Sequence, residues 1–150
     1  MQNDIEAQEP FTRSLISSAR MWRRYLDLVF RDLELSQARW SVLFELSQNE
    51  EVTQVELART LGIEAATLVR QLDGLEDAGL IERRPSATDR RAKTLHLTKA
   101  AYPLIEKMEE MSATSRTEIL EGISQQDLRI ATKILSRITA RLENLSSGEN

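Results

Sequence analysis

The side chains best suited to chemistry in this chain are arginines. Within residues 82–93 five basic groups, Arg83, Arg84, Arg90, Arg91 and Lys93, stand against only two acidic ones, Glu82 and Asp89. A guanidinium offers a planar fork of N–H donors that matches phosphate oxygens and the acceptor edge of guanine, so this cluster suits nucleic acid. A second set, Ala66, Thr67, Arg70 and Gln71, lies upstream at spacings that share one face of a helix. Arg70 could make paired bonds to guanine and Gln71 to adenine, while Ala65 and Ala66 let the backbone approach phosphate. The plain alternative for each is a solvated charged face, whose ion pairs are worth under about 1 kcal/mol.

Two helices and a hairpin must position these groups. Thr53-Gln54-Val55-Glu56 is a capping-box pattern, and the helix it opens, with Val55, Leu57, Ala58 and Leu61 as its apolar members, stops at Gly62. A second helix runs from about Glu64 to Ala78 and ends at Gly79. Leu68, Leu72 and Leu75 share one face, and Thr67, Arg70, Gln71 and Gly74 the other. Helix, Gly-Ile step and helix with a polar outer stripe are the sequence form of a helix-turn-helix. Residues Gly79–Arg83 and Lys93–Leu97 read as paired strands joined by the turn residues Pro85–Asp89. A hairpin directly after a helix-turn-helix is a wing, and this one carries its arginines where they can reach phosphates or a minor groove.

Longer helices flank this middle. Residues 1–9 read as a loose tail, followed by a helix from Thr12 to Leu33 with apolar positions at Leu15, Ile16, Ala19, Trp22, Leu26, Val29 and Leu33. Ser36 caps the next, which holds Trp40, Leu43, Phe44 and Leu46. Thr98 caps a helix that extends from Lys99 to about Ile119, with Leu104, Ile105, Met108 and Met111 inward and Pro103 disturbing its first turn. Ser124 opens the last helix, striped by Leu128, Ala131, Ile134, Leu135, Ile138, Leu142 and Leu145, and residues 146–150 read as a frayed end. The expected fold is mostly α with a small β-hairpin wing. Its expected parts are residues 1–34, 35–98 and 99–150.

Composition narrows the function. The chain of 150 residues has no cysteine, one histidine (His96) and five glycines that stand singly. Thiol chemistry, a cysteine zinc site, a histidine-rich metal site and a glycine-rich phosphate loop are therefore excluded, and no pair of carboxylates is singled out for hydrolysis. No enzyme, cofactor or metal is expected, and His96 reads as a half-buried structural residue. The polar opening MQNDIEAQEP and the lack of a long apolar run point to a cytoplasmic chain without a membrane span. Net charge is −4, yet residues 82–93 carry +3, and screening lets such a basic tip act on its own.

Leu57-Ala58-Arg59-Thr60-Leu61-Gly62-Ile63 and the run Leu68 to Ile81 resemble the helix-turn-helix of the MarR family, and Asp89-Arg90-Arg91-Ala92-Lys93 with Leu95 and Leu97-Thr98 resembles its wing. Arg20-Met21-Trp22-Arg23, Leu35-Ser36-Gln37, Trp40 and Gly122-Ile123-Ser124 extend the likeness to the SlyA subgroup. The resemblance, over about residues 12–145, implies a homodimeric winged helix-turn-helix transcription regulator with long N- and C-terminal dimerisation helices. Its partner would be double-stranded DNA, at an inverted-repeat operator. Leu15, Met108, Ile134, Ile138 and Leu142 would lie at the dimer interface. Arg91 would enter the minor groove, oriented by Asp89, and Arg83, Arg84, Arg90 and Lys93 would accompany it on the wing. A small aromatic or phenolic effector would bind near Ser17, Arg20, Trp40 and Phe44, although Ser17 and Phe44 replace an arginine and a histidine that a SlyA relative offers to salicylate. Repression by steric exclusion is the default action, and displacement of a nucleoid silencer the alternative. The rival readings are a winged-helix module for protein partners and a non-specific architectural DNA binder.

Overall fold

Helix α1, Gln2–Val29, opens the chain in a computed structural model that describes residues 2–49 and 51–147. The expected loose tail is thus helical from its second residue, and the helix passes through Pro10. An Arg13–Glu9 ion pair at 2.6 Å and a Thr12 Oγ1 bond to the Gln8 carbonyl at 2.8 Å tie the turns around this proline. Polarity at the N-terminus marks exposure here, not irregular structure.

The same helix ends earlier than its apolar spacing suggests. Phe30 is fully buried, and the chain tightens behind it into a 3-10 turn, Arg31–Leu33, closed by Glu34 at φ 55°. Helix α2, Gln37–Gln48, then starts at Ser36, whose side chain accepts the Arg39 N–H as the capping pattern requires.

A two-residue strand β1, Val52–Thr53, follows, then α3, Gln54–Leu61, and α4, Ala65–Asp77. The hairpin is β2, Ile81–Pro85, and β3, Lys93–Leu97, so Pro85 closes the strand instead of opening the turn. Both pairings are antiparallel in the order β1-β3-β2, with Ile81 opposite Leu97, Arg83 opposite Leu95 and Val52 opposite Leu95 on the other side. β1 was not legible from alternation, which two residues cannot display.

Thr98 leads into a 3-10 turn, Lys99–Ala101, and α5, Tyr102–Ile119, but its side chain makes no cap, because its hydroxyl donates to the Gly79 carbonyl instead. Pro103 is therefore the second residue of α5, where its missing N–H costs nothing, and the irregular turn lies just before it. Helix α6, Gln125–Ser147, starts at Ser124, which accepts the Asp127 N–H at 3.1 Å and donates to its carboxylate at 2.6 Å. Ser146 and Ser147 belong to α6, and the remainder of the expected frayed end lies outside the described residues.

The chain divides into two units, one running to Ser115 and one from Arg116. The first is built around Phe30, Trp40, Leu43, Leu57, Leu68, Leu72, Leu75, Ile81, Leu95 and Met108. In the second, α6 buries none of its side chains, and Ile130, Ile134, Leu135, Leu142 and Leu145 stay exposed. No helix among the described residues is long and apolar enough to cross a membrane.

Candidate nucleic-acid interface

The turn between α3 and α4 aims the interface. Thr53 and Glu56 form the capping box at the start of α3, and the Thr53 hydrogen bonds, from side chain and then backbone, hold the Glu56 carboxyl below its ordinary pKa. At the other end Gly62 adopts φ 63°, a left-handed conformation that a side chain disfavours, and its N–H meets the Ala58 and Arg59 carbonyls. Ile63 bonds Ala58 at 3.1 Å, and α4 begins after Glu64.

Because Leu68, Leu72 and Leu75 enter the core, the opposite face of α4 is turned outward. Ala65, Ala66, Thr67 and Arg70 are exposed and Gln71 is half-buried. Glu64 makes no side-chain cap, so main-chain N–H groups and the positive helix end stand beside two alanines. Gly74, in the middle of α4, permits a close crossing. A Cβ there would lie 2.5 Å from Nη2 of Arg39, which reaches across from α2.

The wing loop is ordered by its own small polar groups. Ser86 Oγ accepts the N–H groups of Thr88 and Asp89 at 3.3 Å, and the Ser86 N–H bonds the Ala92 carbonyl at 3.0 Å. Asp89 Oδ1 accepts the Arg91 main-chain N–H at 2.9 Å, so it orients Arg91 through the backbone and not by gripping the guanidinium. Arg90, Arg91 and Lys93 are exposed and, like Arg70, make no ion pair among the described residues.

Arg83 and Arg84 differ from their expected place among the open cations. The Arg83 side chain is only 14% exposed, and its guanidinium meets Asp73 at 2.6 Å and Glu76, both on α4. Burial alone would lower its pKa, but the bonds to Asp73 and Glu76 outweigh this and raise it. Arg84 pairs with Glu82 on the same strand and remains half-exposed. On that face of the hairpin His96 is half-buried, with Nε2 2.8 Å from Thr94 Oγ1.

Residues 35–93 match the model of the MarR family. The chain is 44% identical to the transcriptional regulator PA3341, with 89% of this chain and 98% of that one covered at a TM-score of 0.84. The chain belongs to the MarR family. These are DNA-binding transcriptional regulators and not enzymes. A MarR family regulator from Listeria monocytogenes, solved in complex with a 26mer DNA, shares the fold at a TM-score of 0.78 and 21% identity, over 89% of each chain. A SlyA-like transcription regulator from the same organism does so at 0.76 and 21%, over 88% of each chain.

Within this MarR fold, the residues expected at an effector pocket do not converge. Trp40 is only 6% exposed, with its indole and the Phe30 ring in a T-shaped pair at 5.3 Å between ring centres and its Nε1 donating to Asp27 at 2.7 Å. At that degree of burial little of its ring is open to a stacked ligand. Ser17 and Phe44 are half-buried, and neither shares the groove that Arg20 lines. That groove, about 570 Å³, has Leu15, Ile16 and Ala19 as apolar lining beside Arg20, Arg23 and Arg24. Of the residues expected at a dimer interface, Ile134 and Leu142 are exposed and Leu15 and Ile138 half-buried. Met108 is 0% exposed and packed in the core of its own unit, which leaves it no surface to offer a second chain.

Proposed function

We propose that this MarR family protein acts as a homodimer, of the SlyA-like type, on an inverted-repeat operator in double-stranded DNA. The observation that carries the reading is the exposed face of α4, with Thr67 and Arg70, in the same unit as a wing tip whose Arg90, Arg91 and Lys93 side chains make no ion pair among the described residues. Ala66, Thr67, Arg70 and Gln71 would meet the major groove, and the wing tip, ordered by Asp89, the phosphates or the minor groove. Arg84, half-exposed beside Glu82, is a lesser phosphate contact.

In this reading residues 35–98 bind DNA, while 1–34 and 99–150 serve dimerisation. The apolar stripe of α6, with Ile134, Ile138 and Leu142, together with Leu15 on α1, supports a second copy as its cover. Two-fold symmetry would then set the recognition helices about 34 Å apart, one turn of duplex. The protein would work in the cytoplasm on the nucleoid, repressing by steric exclusion. A small aromatic acid would fit the Arg20, Arg23 and Arg24 groove better than the surroundings of Trp40, and it would release DNA only by binding the DNA-compatible form less tightly.

Selection of random duplexes by the purified protein at two salt concentrations tests the reading. An enriched inverted repeat, bound less tightly as salt rises, is the expected outcome. Retention without a motif would indicate an architectural binder, and no retention would favour a module for protein partners. On the enriched duplex, Arg91→Ala is expected to weaken binding by about 1–3 kcal/mol while sedimentation shows an unchanged dimer.

A further inference from the structure

Arg83 stands on the core-facing side of the hairpin, directly opposite the buried Leu95. Such a site normally holds an aliphatic residue, and a cation there needs partners. It has two, both from the back of α4. Asp73 and Glu76 are three residues apart on that helix, hence on one face, and the guanidinium spans them. The second Glu76 oxygen accepts the Arg83 main-chain N–H at 3.1 Å, so this one carboxylate holds the strand by side chain and backbone together.

The position along the hairpin matters as much as the bonds. At the hairpin base, Leu80 N–H bonds the Leu75 carbonyl at 2.9 Å, and Thr98 bonds the Leu80 and Gly79 carbonyls at 3.0 and 2.5 Å. Beyond the base β1 pairs with β3 at Leu95 and Thr94, and the strands then lead to the loop that carries Arg90 and Arg91. Arg83 ties the hairpin to α4 partway along. β1 supports only the β3 edge, at Leu95 and Thr94, whereas the bonds of Arg83 fasten the β2 edge to α4 at the same level and so set the angle at which the tip leaves the helix.

We propose that Arg83, with Asp73 and Glu76, is a positioning residue for DNA binding, bracing the wing against the recognition helix so that both meet the duplex at one set angle, and is not itself a phosphate contact. The proposal rests on the DNA-binding reading above. It has a consequence opposite in sign to simple charge attraction. Replacing both carboxylates by amides makes the surface near α4 more positive by two charges and frees Arg83, which by attraction alone would strengthen binding to DNA.

The test is the paired variant Asp73→Asn/Glu76→Gln, measured against wild type on the duplex enriched by the wild-type protein over a series of salt concentrations. Both carboxylates are substantially exposed, 56% and 40%, so the amides leave the core intact, and thermal unfolding of the variant checks this. Binding is expected to weaken roughly tenfold. Hydroxyl-radical footprints should lose protection at the wing contacts and keep it at the α4 contacts. Arg83→Lys, which keeps the charge but cannot span both carboxylates in the same way, should behave alike, with a salt slope equal to that of wild type. Affinity unchanged or raised in the paired variant would overturn the brace. A slope shallower by about 0.9 in Arg83→Ala would also overturn it, since that is the signature of a lost phosphate contact. Failure of the wild-type protein to retain any duplex would instead remove the DNA reading, and the brace with it.

Discussion

Helices α4 and α6 carry apolar stripes of the same kind and use them differently. Leu68, Leu72 and Leu75 of α4 are buried within their own unit, whereas Ile130, Ile134, Leu135, Leu142 and Leu145 of α6 are exposed. An amphipathic pattern states that a helix needs a covering surface, and says nothing about which chain supplies it. On α4 the covered stripe frees the opposite face, with Arg70 and Thr67, for a ligand. On α6 the stripe itself is left exposed, and the proposed dimer would cover it.

The contrast can be broken most directly on α6. Replacing Ile134 and Leu142 together by Asp should give a monomer by sedimentation. Operator binding should fall roughly 10²–10⁴-fold, because two linked half-site contacts become one. A variant that stays dimeric would place the interface elsewhere. Leu72→Ala sharpens the other side of the comparison. Its side chain is fully buried, so truncation should cost about 2–5 kcal/mol in urea unfolding.

A smaller effect is expected where α3 begins. Thr53→Ala should cost about 1 kcal/mol at neutral pH, read from the same unfolding curves. Because Glu56 has a lowered pKa in the folded chain, its part of the cap is fully present above the ordinary carboxylate range and disappears as pH falls through the lowered value. The gap between Thr53→Ala and wild type should therefore narrow in acid. The smallest change is Ser112→Ala in α5. Ser112 is buried and its Oγ has no hydrogen-bond partner among the described residues, so the alanine should raise stability slightly, by up to about 1 kcal/mol, as a small rise in the melting temperature.

Local signals in the sequence account for most of the fold. The Ser36 and Thr53 caps, the Gly62 stop, α4 and the strand Lys93–Leu97 each depend on residues within a few positions of one another. What escaped was non-local. The partners of Arg83 lie seven and ten residues away and meet it only once the hairpin folds back on α4. Trp40 was legible as an aromatic residue, but its orientation depends on Asp27 and Phe30, which its own helix does not supply. Phe30 likewise ends α1 by its burial, a tertiary effect that overrides the apolar spacing continuing to Leu33. For the wing, counting charges located the basic cluster without separating cations held by carboxylates from those left open. An acid pair three apart on a helix, followed by an arginine in the next strand, was the available signal.

The indole of Trp40 also gives the protein an optical gauge. Its N–H is held by Asp27 of α1 while its ring is enclosed with Phe30, so its emission should be shifted toward the blue relative to an indole in water. Any event that lifts α1 from α2 would release the carboxylate, admit solvent and move that emission to the red. Trp22, half-buried on α1, supplies a second signal, so Trp22→Phe would leave Trp40 as the sole reporter of that junction, in solution and without an attached dye.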